Sequence, residues 1–205
     1  MTGGACTSAA LRPGVSLYLI RHGQTDWNKA ARYQGQTDIA LNDTGRAQAH
    51  RNGLILRQLL PDIARADFVS SPLSRAVETT EIVLKSLGIE GVSYRLEPEL
   101  KELHYGHWEG HLASDLTTTD ADGVAAKARD PYGWRPTGGE SYRDLNDRIA
   151  KWLKTVERDT VAITHGGVSR VARGAVLGID TETVPVLDVP QDRVLLLRDG
   201  AMLWL

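Results

Sequence analysis

Short apolar runs alternate with longer stretches of helical periodicity along most of the chain, and this alternation constrains the fold more than any other feature. The run Val15-Ser16-Leu17-Tyr18-Leu19-Ile20 reads as a central strand buried on both faces. Residues 67–70 and 160–164 read as strands of the same kind, and residues 92–96 alternate as another. Residues 184–189, 193–198 and 201–205 read as short strands, the last two joined by Asp199-Gly200, a strong hairpin signal.

Helices fill the intervals. Residues 44–60 can be capped by Asn42, Asp43 or Thr44, with Leu54, Ile55 and Leu59 on one face and Pro61 just past the end. Residues 73–87 carry the stripe Ala76, Thr80, Val83, Leu84 and Leu87, and Gly88 stops that helix. Leu145, Ile149, Trp152, Leu153 and Val156 sit at helical spacing within 141–156, and a last helix spans 168–177. Residues 104–140, rich in Gly, Asp, Thr and Pro, read as an irregular insertion with some helix. Strands alternating with helices predict a three-layer α/β/α sandwich around a mostly parallel sheet. The expected organisation is a disordered lead over residues 1–14 and a single domain over 15–205.

Charge and cysteine usage remove several functional classes. The 24 basic and 26 acidic residues leave a net charge of −2, which argues against a general nucleic-acid binder. A lone cysteine, Cys6, excludes an intramolecular disulfide framework and a cysteine-rich zinc site. The first fourteen residues lack the pattern of a secretory signal, and no segment has the apolar length of a membrane span. The cytoplasm is the default compartment.

In folds of this type ligands collect at the carboxyl ends of the strands, so the residues at each strand exit matter most. Arg21-His22-Gly23 leaves the first strand, Ser71, Pro72 and then Arg75 leave the second, and His165-Gly166-Gly167 comes directly after residues 160–164. Arginine offers a fork of donors shaped for phosphate oxygens. Imidazoles among arginines resist protonation and keep a lone pair, the requirement for a nucleophile towards phosphorus. Glycines beside them let backbone approach closely, and amides at a helix start favour an anion. A phosphoryl centre uses all of these features together.

The motif Leu19-Ile20-Arg21-His22-Gly23-Gln24-Thr25 resembles the signature of the histidine phosphatase superfamily, which includes the cofactor-dependent phosphoglycerate mutases. The resemblance continues through Trp27-Asn28, residues 41–45, residues 70–76 and Glu102, and finishes at Thr164-His165-Gly166-Gly167. It implies the phosphoglycerate mutase-like fold and a set of roles. His22 would attack phosphorus and become a phosphohistidine. Arg21, Arg75 and His165 would bind the equatorial oxygens, with Asn28 as a further phosphate contact. Glu102 would protonate the leaving alkoxide and then activate water. Gly166, Gln34, Gly35 and Tyr105 occupy positions that bind phosphate or substrate in the family. Arginine and histidine supply the positive charge, so no metal and no cofactor is expected. His104, His107 and His111 are spaced for one helical face, but Gly106 and Gly110 interrupt any such helix. Trp108, Trp134 and Trp152 read as packing or pocket-wall residues.

Within the family the phosphatase branch fits better than the mutases. The mutases carry a lysine shortly after the glutamate block and paired arginines in the insertion. Here no lysine occurs after Gly110 until Lys127, and Arg129 and Arg135 are separate. Gly167 stands where the mutase pattern has asparagine, and residues 136–141 look like the phosphatases. The expected function is a metal-independent phosphomonoesterase acting on a small phosphorylated metabolite. A phosphoglycerate mutase is the alternative, which Tyr105 favours, and a non-catalytic phospho-ligand binder stands behind it. The C-terminal strands can pair within the chain or between two copies as a homodimer.

Overall fold

A computed structural model describes residues 11–60 and 62–205; residues 1–10, with most of the expected lead and Cys6, and Pro61 lie outside the described residues. Six strands form one sheet: β1 (Leu17–Arg21), β2 (Asp67–Ser70), β3 (Arg95–Leu96), β4 (Thr160–Thr164), β5 (Val194–Arg198) and β6 (Ala201–Trp204), in the order β3-β2-β4-β1-β5-β6. The four strands β1 to β4 run parallel, and the β5–β6 hairpin adds an antiparallel margin. Asp199 and Gly200 join that hairpin with φ of 48° and 72°, the left-handed backbone that a two-residue type I′ loop requires.

Among the described residues there are seven α-helices: α1 (Asp26–Lys29), α2 (Asp43–Leu59), α3 (Ser74–Leu87), α4 (Ala113–Thr119), α5 (Ala121–Arg129), α6 (Tyr142–Leu153) and α7 (Gly166–Leu177). The two-residue period of β1 divides the core. Tyr18 and Ile20 join Phe68, Val161 and Ile163 under Leu56, Val83 and Leu84 of α2 and α3. Leu17 and Leu19 join Val69 and Ala162 under Leu145, Ile149, Val168 and Val171 of α6 and α7. The result is the α/β/α sandwich expected from the alternation.

The strand register brings the exits together. Arg21 of β1 pairs with Thr164 of β4, and Ser70 of β2 pairs with Ile163. His22, Ser71 and His165 therefore leave the sheet side by side.

Four expectations change. The buried face of α2 is Gly45, Ala49, Asn52, Gly53 and Leu56, whereas Leu54 and Leu59 are 43% and 53% exposed. Small residues win this face because α3 packs closely: a Cβ on Gly53 would lie 2.5 Å from Ser86 Cβ. Residues 184–189 are not a strand; Val184–Val186 is a 3₁₀ turn, consistent with Pro185 having no amide for a ladder. Pairing over 92–96 shrinks to Arg95 and Leu96. At the other end residues 11–14 make contacts with the domain: Leu11 is buried, and the exposed Arg12 and Gly14 are tied down, Arg12 to Glu157 at 2.6 Å and the Gly14 amide to Asp199 at 2.8 Å. No helix among the described residues is long and apolar enough to cross a membrane.

Candidate active site

The segment leaving β1 presents His22 on a backbone clamped by helix α2. Gly23 and Gly45 meet backbone to backbone: a Cβ on Gly23 would lie 2.2 Å from the Gly45 carbonyl oxygen, and one on Gly45 would lie 2.2 Å from the Gln24 oxygen. The Gly23 amide donates to Thr79 Oγ1 at 3.2 Å. With Gly23 fixed, its carbonyl accepts from His22 Nδ1 at 2.7 Å, so the proton of the neutral ring sits on Nδ1 and Nε2 keeps its lone pair. Arg75 Nε donates to that Nε2 at 3.3 Å. His22 is only 3% exposed, and burial, reinforced by Arg75 and Arg21, holds its pKa well below 6.5.

His165 stands beside it, with ring centroids 5.0 Å apart and planes inclined at 58°. Its Nε2 is 2.8 Å from Ser71 Oγ, so the exit of β2 orients the exit of β4. Its Nδ1 is buried without a hydrogen-bond partner among the described residues. Burial, then the charges of Arg75 and its neighbours, also depresses this pKa.

Arg75, on the first turn of α3, is fully buried. Nη2 donates to the Gly35 carbonyl at 2.6 Å and Nη1 to the Thr37 carbonyl at 2.8 Å. With the Gln34 amide turned to satisfy both neighbours, its nitrogen donates to Thr25 Oγ1 at 2.7 Å and its oxygen accepts from Arg75 Nη1 at 2.9 Å. Burial lowers the Arg75 pKa to about 10, which leaves it cationic at neutral pH. Arg21 donates Nη1 to the Val189 carbonyl at 2.8 Å, and its Nε is buried without a hydrogen-bond partner among the described residues.

Glu102 is held where α7 begins. Its carboxylate accepts from the Gly167 amide at 3.0 and 3.2 Å and from the Leu103 amide at 2.8 Å. Gly167 has no room for a side chain, since a Cβ would lie 2.4 Å from Glu102 Oε1. Asn28 closes the capping box of α1: its amide donates to Thr25 Oγ1, its Oδ1 accepts from the Thr25 amide, and Gln191 Nε2 also donates to that oxygen at 3.2 Å.

A cavity of about 480 Å³ opens over these groups. Arg21, His22, Asn28, Gln34, Gly35, Arg75, Glu102, Tyr105 and Gly166 all line it, while the fully buried His165 does not. Arg170, Gln191 and Arg32 line it as well, and none of the three is singled out by the sequence motifs. Arg170 carried a signal, because it lies four residues after Gly166 on α7 and so returns to the same helix face. Gln191 lies in a loop and carried none; its Nε2 donates to the His22 carbonyl at 3.0 Å. The rim histidines are tied separately: His107 contacts Asp120 at 2.9 Å and His104 Nδ1 accepts from the Gly106 amide at 2.8 Å. No group of three or more metal-binding side chains occurs among the described residues.

Comparison with known proteins agrees with this architecture. The family model of the histidine phosphatase superfamily (branch 1) matches residues 17–198. The glucosyl-3-phosphoglycerate phosphatase of Mycolicibacterium vanbaalenii is 34% identical over 185 residues, 83% of this chain and 78% of the relative. The phosphoglycerate mutase-like protein 4 of Arabidopsis thaliana is 33% identical over 164 residues, 76% of this chain and 68% of the relative. The crystal structure of the alpha-ribazole phosphatase from Shigella flexneri superposes with a TM-score of 0.79 at 25% identity, over 93% of this chain and 94% of that one.

Proposed function

The chain belongs to the histidine phosphatase superfamily (branch 1), and from that premise we propose that it hydrolyses the monophosphate ester of a small metabolite through a phosphohistidine on His22. The observation that carries the reading is the state of that ring. Its Nδ1–H is committed to the Gly23 carbonyl and its protonation is suppressed, so Nε2 offers a lone pair at neutral pH.

In the first step the Nε2 lone pair forms a bond to phosphorus as the ester P–O bond opposite breaks. Charge moves onto the equatorial oxygens, where Arg21, Arg75 and His165 are the stabilising donors. Asn28, whose oxygen serves the helix cap, would contact phosphate through Nδ2, and the Gly166 amide at the start of α7 adds a backbone donor. Glu102 acts as the general acid of this step and gives a proton to the leaving alkoxide. In the second step the Glu102 carboxylate takes a proton from water, the water oxygen bonds to phosphorus, and the P–N electron pair returns to Nε2. Phosphate leaves and both groups regain their starting protonation.

Gln34, Gly35 and Tyr105 form the side of the cavity that would meet the alcohol part of the ester. The relatives named for their substrates act on a glucosylated phosphoglycerate and on α-ribazole phosphate, both small phosphorylated metabolites. A substrate of that class is proposed here.

The test is turnover of p-nitrophenyl phosphate together with acid-labile, base-stable labelling of the protein by a ³²P-phosphate ester. Wild type should show both, and His22→Ala should lose ~10³-fold or more of turnover and all of the label. Unimpaired turnover by His22→Ala would refute the mechanism. Interconversion of 2- and 3-phosphoglycerate stimulated by 2,3-bisphosphoglycerate would mark a mutase instead.

A further inference from the structure

Glu109 lies on the rim, directly after the 3₁₀ turn Gly106–Trp108, and the hydrolytic steps give it no part. Its side chain is only 11% exposed, and each oxygen is occupied. Oε1 accepts from the Gln36 amide at 2.9 Å and from the Tyr105 amide at 3.1 Å. Oε2 accepts from the Thr37 amide at 2.9 Å and from the Thr37 hydroxyl at 2.5 Å. The loop is shaped to admit the carboxylate. Gly35 has φ +54°, and a Cβ there would lie 2.0 Å from Glu109 Oε1.

The same few loop residues hold Arg75. The carbonyls of Gly35 and Thr37 take its two terminal nitrogens at 2.6 and 2.8 Å, and the Gln34 amide oxygen lies within 2.9 Å. The guanidinium so held donates Nε to His22 Nε2. A charged group, a loop and a guanidinium thus form a chain: Glu109 binds the loop's N–H groups, the loop's carbonyls aim Arg75, and Arg75 faces the nucleophile. Rim backbone supports the arrangement, with the Gly110 amide donating to the Tyr33 carbonyl at 2.8 Å and the Tyr33 amide to the His111 carbonyl at 3.0 Å.

We infer that Glu109 is a positioning residue that fixes the 34–37 loop and thereby sets the direction of the Arg75 guanidinium towards the transferring phosphoryl group. It exchanges no proton with substrate. A carboxylate suits the task because it accepts several hydrogen bonds at once and each bond from a neutral N–H to an ion is strengthened by its charge. Glutamine at this position would place an NH₂ against N–H donors and break one side of the clamp. The inference rests on the phosphatase reading only for the identity of the reaction.

A double-mutant cycle between Glu109→Gln and Arg75→Ala tests it, read as kcat and KM for p-nitrophenyl phosphate and as orthovanadate affinity. Glu109→Gln alone should lower kcat/KM ~10–100-fold, mostly in kcat, and weaken orthovanadate by a similar factor, the scale of a misaligned active-site group. In the Arg75→Ala background the same change should cost less than about 3-fold, because the group it aims is gone. An equal cost in both backgrounds, or no cost in wild type, would overturn the inference. Thr37→Val, which removes a single hydroxyl donor, repeats the cycle at ~3–10-fold should Glu109→Gln fail to fold. A wild-type protein that binds orthovanadate but hydrolyses nothing would defeat the phosphatase reading while the vanadate cycle still decides the role of Glu109.

Discussion

The cavity has two walls built on different principles. One is made by strand exits: His22, His165 and Ser71 leave three neighbouring parallel strands, and their relative positions are set by the ladder register. The other is the rim, where residues 31–37 and 104–112 zip together through backbone bonds, capping groups and the Glu109 carboxylate. A displaced strand would cost a whole ladder, whereas a displaced rim loop costs a few hydrogen bonds. In the proposed reaction His22, which must meet phosphorus at a fixed angle, sits on the rigid wall, whereas Arg75 takes its direction from the 34–37 loop of the adjustable one, beside the groups assigned to the leaving alcohol.

Perturbing each wall should separate these duties. Glu102 joins them, so it gives the largest contrast: Glu102→Gln should lower turnover of an alkyl phosphate by ~10²–10⁴-fold, and of p-nitrophenyl phosphate by clearly less, because p-nitrophenolate leaves without a proton. Comparing kcat/KM for the two esters, which reports the step that expels the alcohol, measures this, and equal losses would remove Glu102 as the general acid. Arg75→Ala, where helix α3 meets the rim loop, should reduce kcat by ~10²–10³-fold for every ester alike, as expected for loss of a donor to the developing charge. Gly167→Ala, which pushes a methyl onto Glu102 Oε1, should cost ~10-fold, again seen in kcat with an alkyl ester.

The rigid wall should also reveal itself through pH. His22 and His165 have folded pKa values depressed by burial and by neighbouring arginines. The unfolded chain therefore binds more protons below about pH 6.5, and stability is present above that pH and lost as the pH falls. Each histidine contributes a slope of about 1.4 kcal/mol per pH unit in that range. Urea titrations between about pH 6 and 5 should show His22→Asn losing stability less steeply than wild type by that amount, and parallel curves would contradict the depressed pKa. On the adjustable wall the effects should be smallest. Lys127 donates to the Tyr33 hydroxyl at 2.8 Å and lies 5.3 Å from the Trp108 ring centroid. Lys127→Met should leave kcat within about 3-fold while changing KM differently across a panel of metabolite phosphates, since exposed cation–aromatic contacts are worth under about 1 kcal/mol.

The same contrast explains what is legible in the amino-acid sequence. Arg21-His22-Gly23 and His165-Gly166-Gly167 announce themselves because an apolar strand and its polar exit are contiguous, and the strands alone bring the exits together. Glu109 and Gln191 act through bonds to segments 70 or more residues away, for example Glu109 to Gln36 and Gln191 to His22, which no local pattern encodes. Helix α2 misleads for a different reason. Hydrophobicity points to Leu54 and Leu59, but close packing against α3 selects Gly53 and Ala49 and turns the leucines outward. Residues 184–189 look like a strand by composition, yet Pro185 denies the run a ladder. Side-chain volume and missing donors decide these places, and apolar periodicity is blind to both.

The crossing of Gly23 over Gly45 gives the 41–45 block a meaning that its side chains do not. Helix α2 lines no part of the cavity; beside the Asn52 bond to the Gln191 carbonyl and the Gln24 amide's bond to Gln48, its closest tie to the chemistry is two hydrogen atoms where other residues carry carbon. Those hydrogens let the helix start bear directly on the Gly23 carbonyl, and that carbonyl decides which nitrogen of His22 holds the proton. The backbone that fixes the nucleophile's tautomer thus depends on a steric allowance at the start of a neighbouring helix, and the two glycines form one unit of variation: a side chain gained at either closes the space the other depends on.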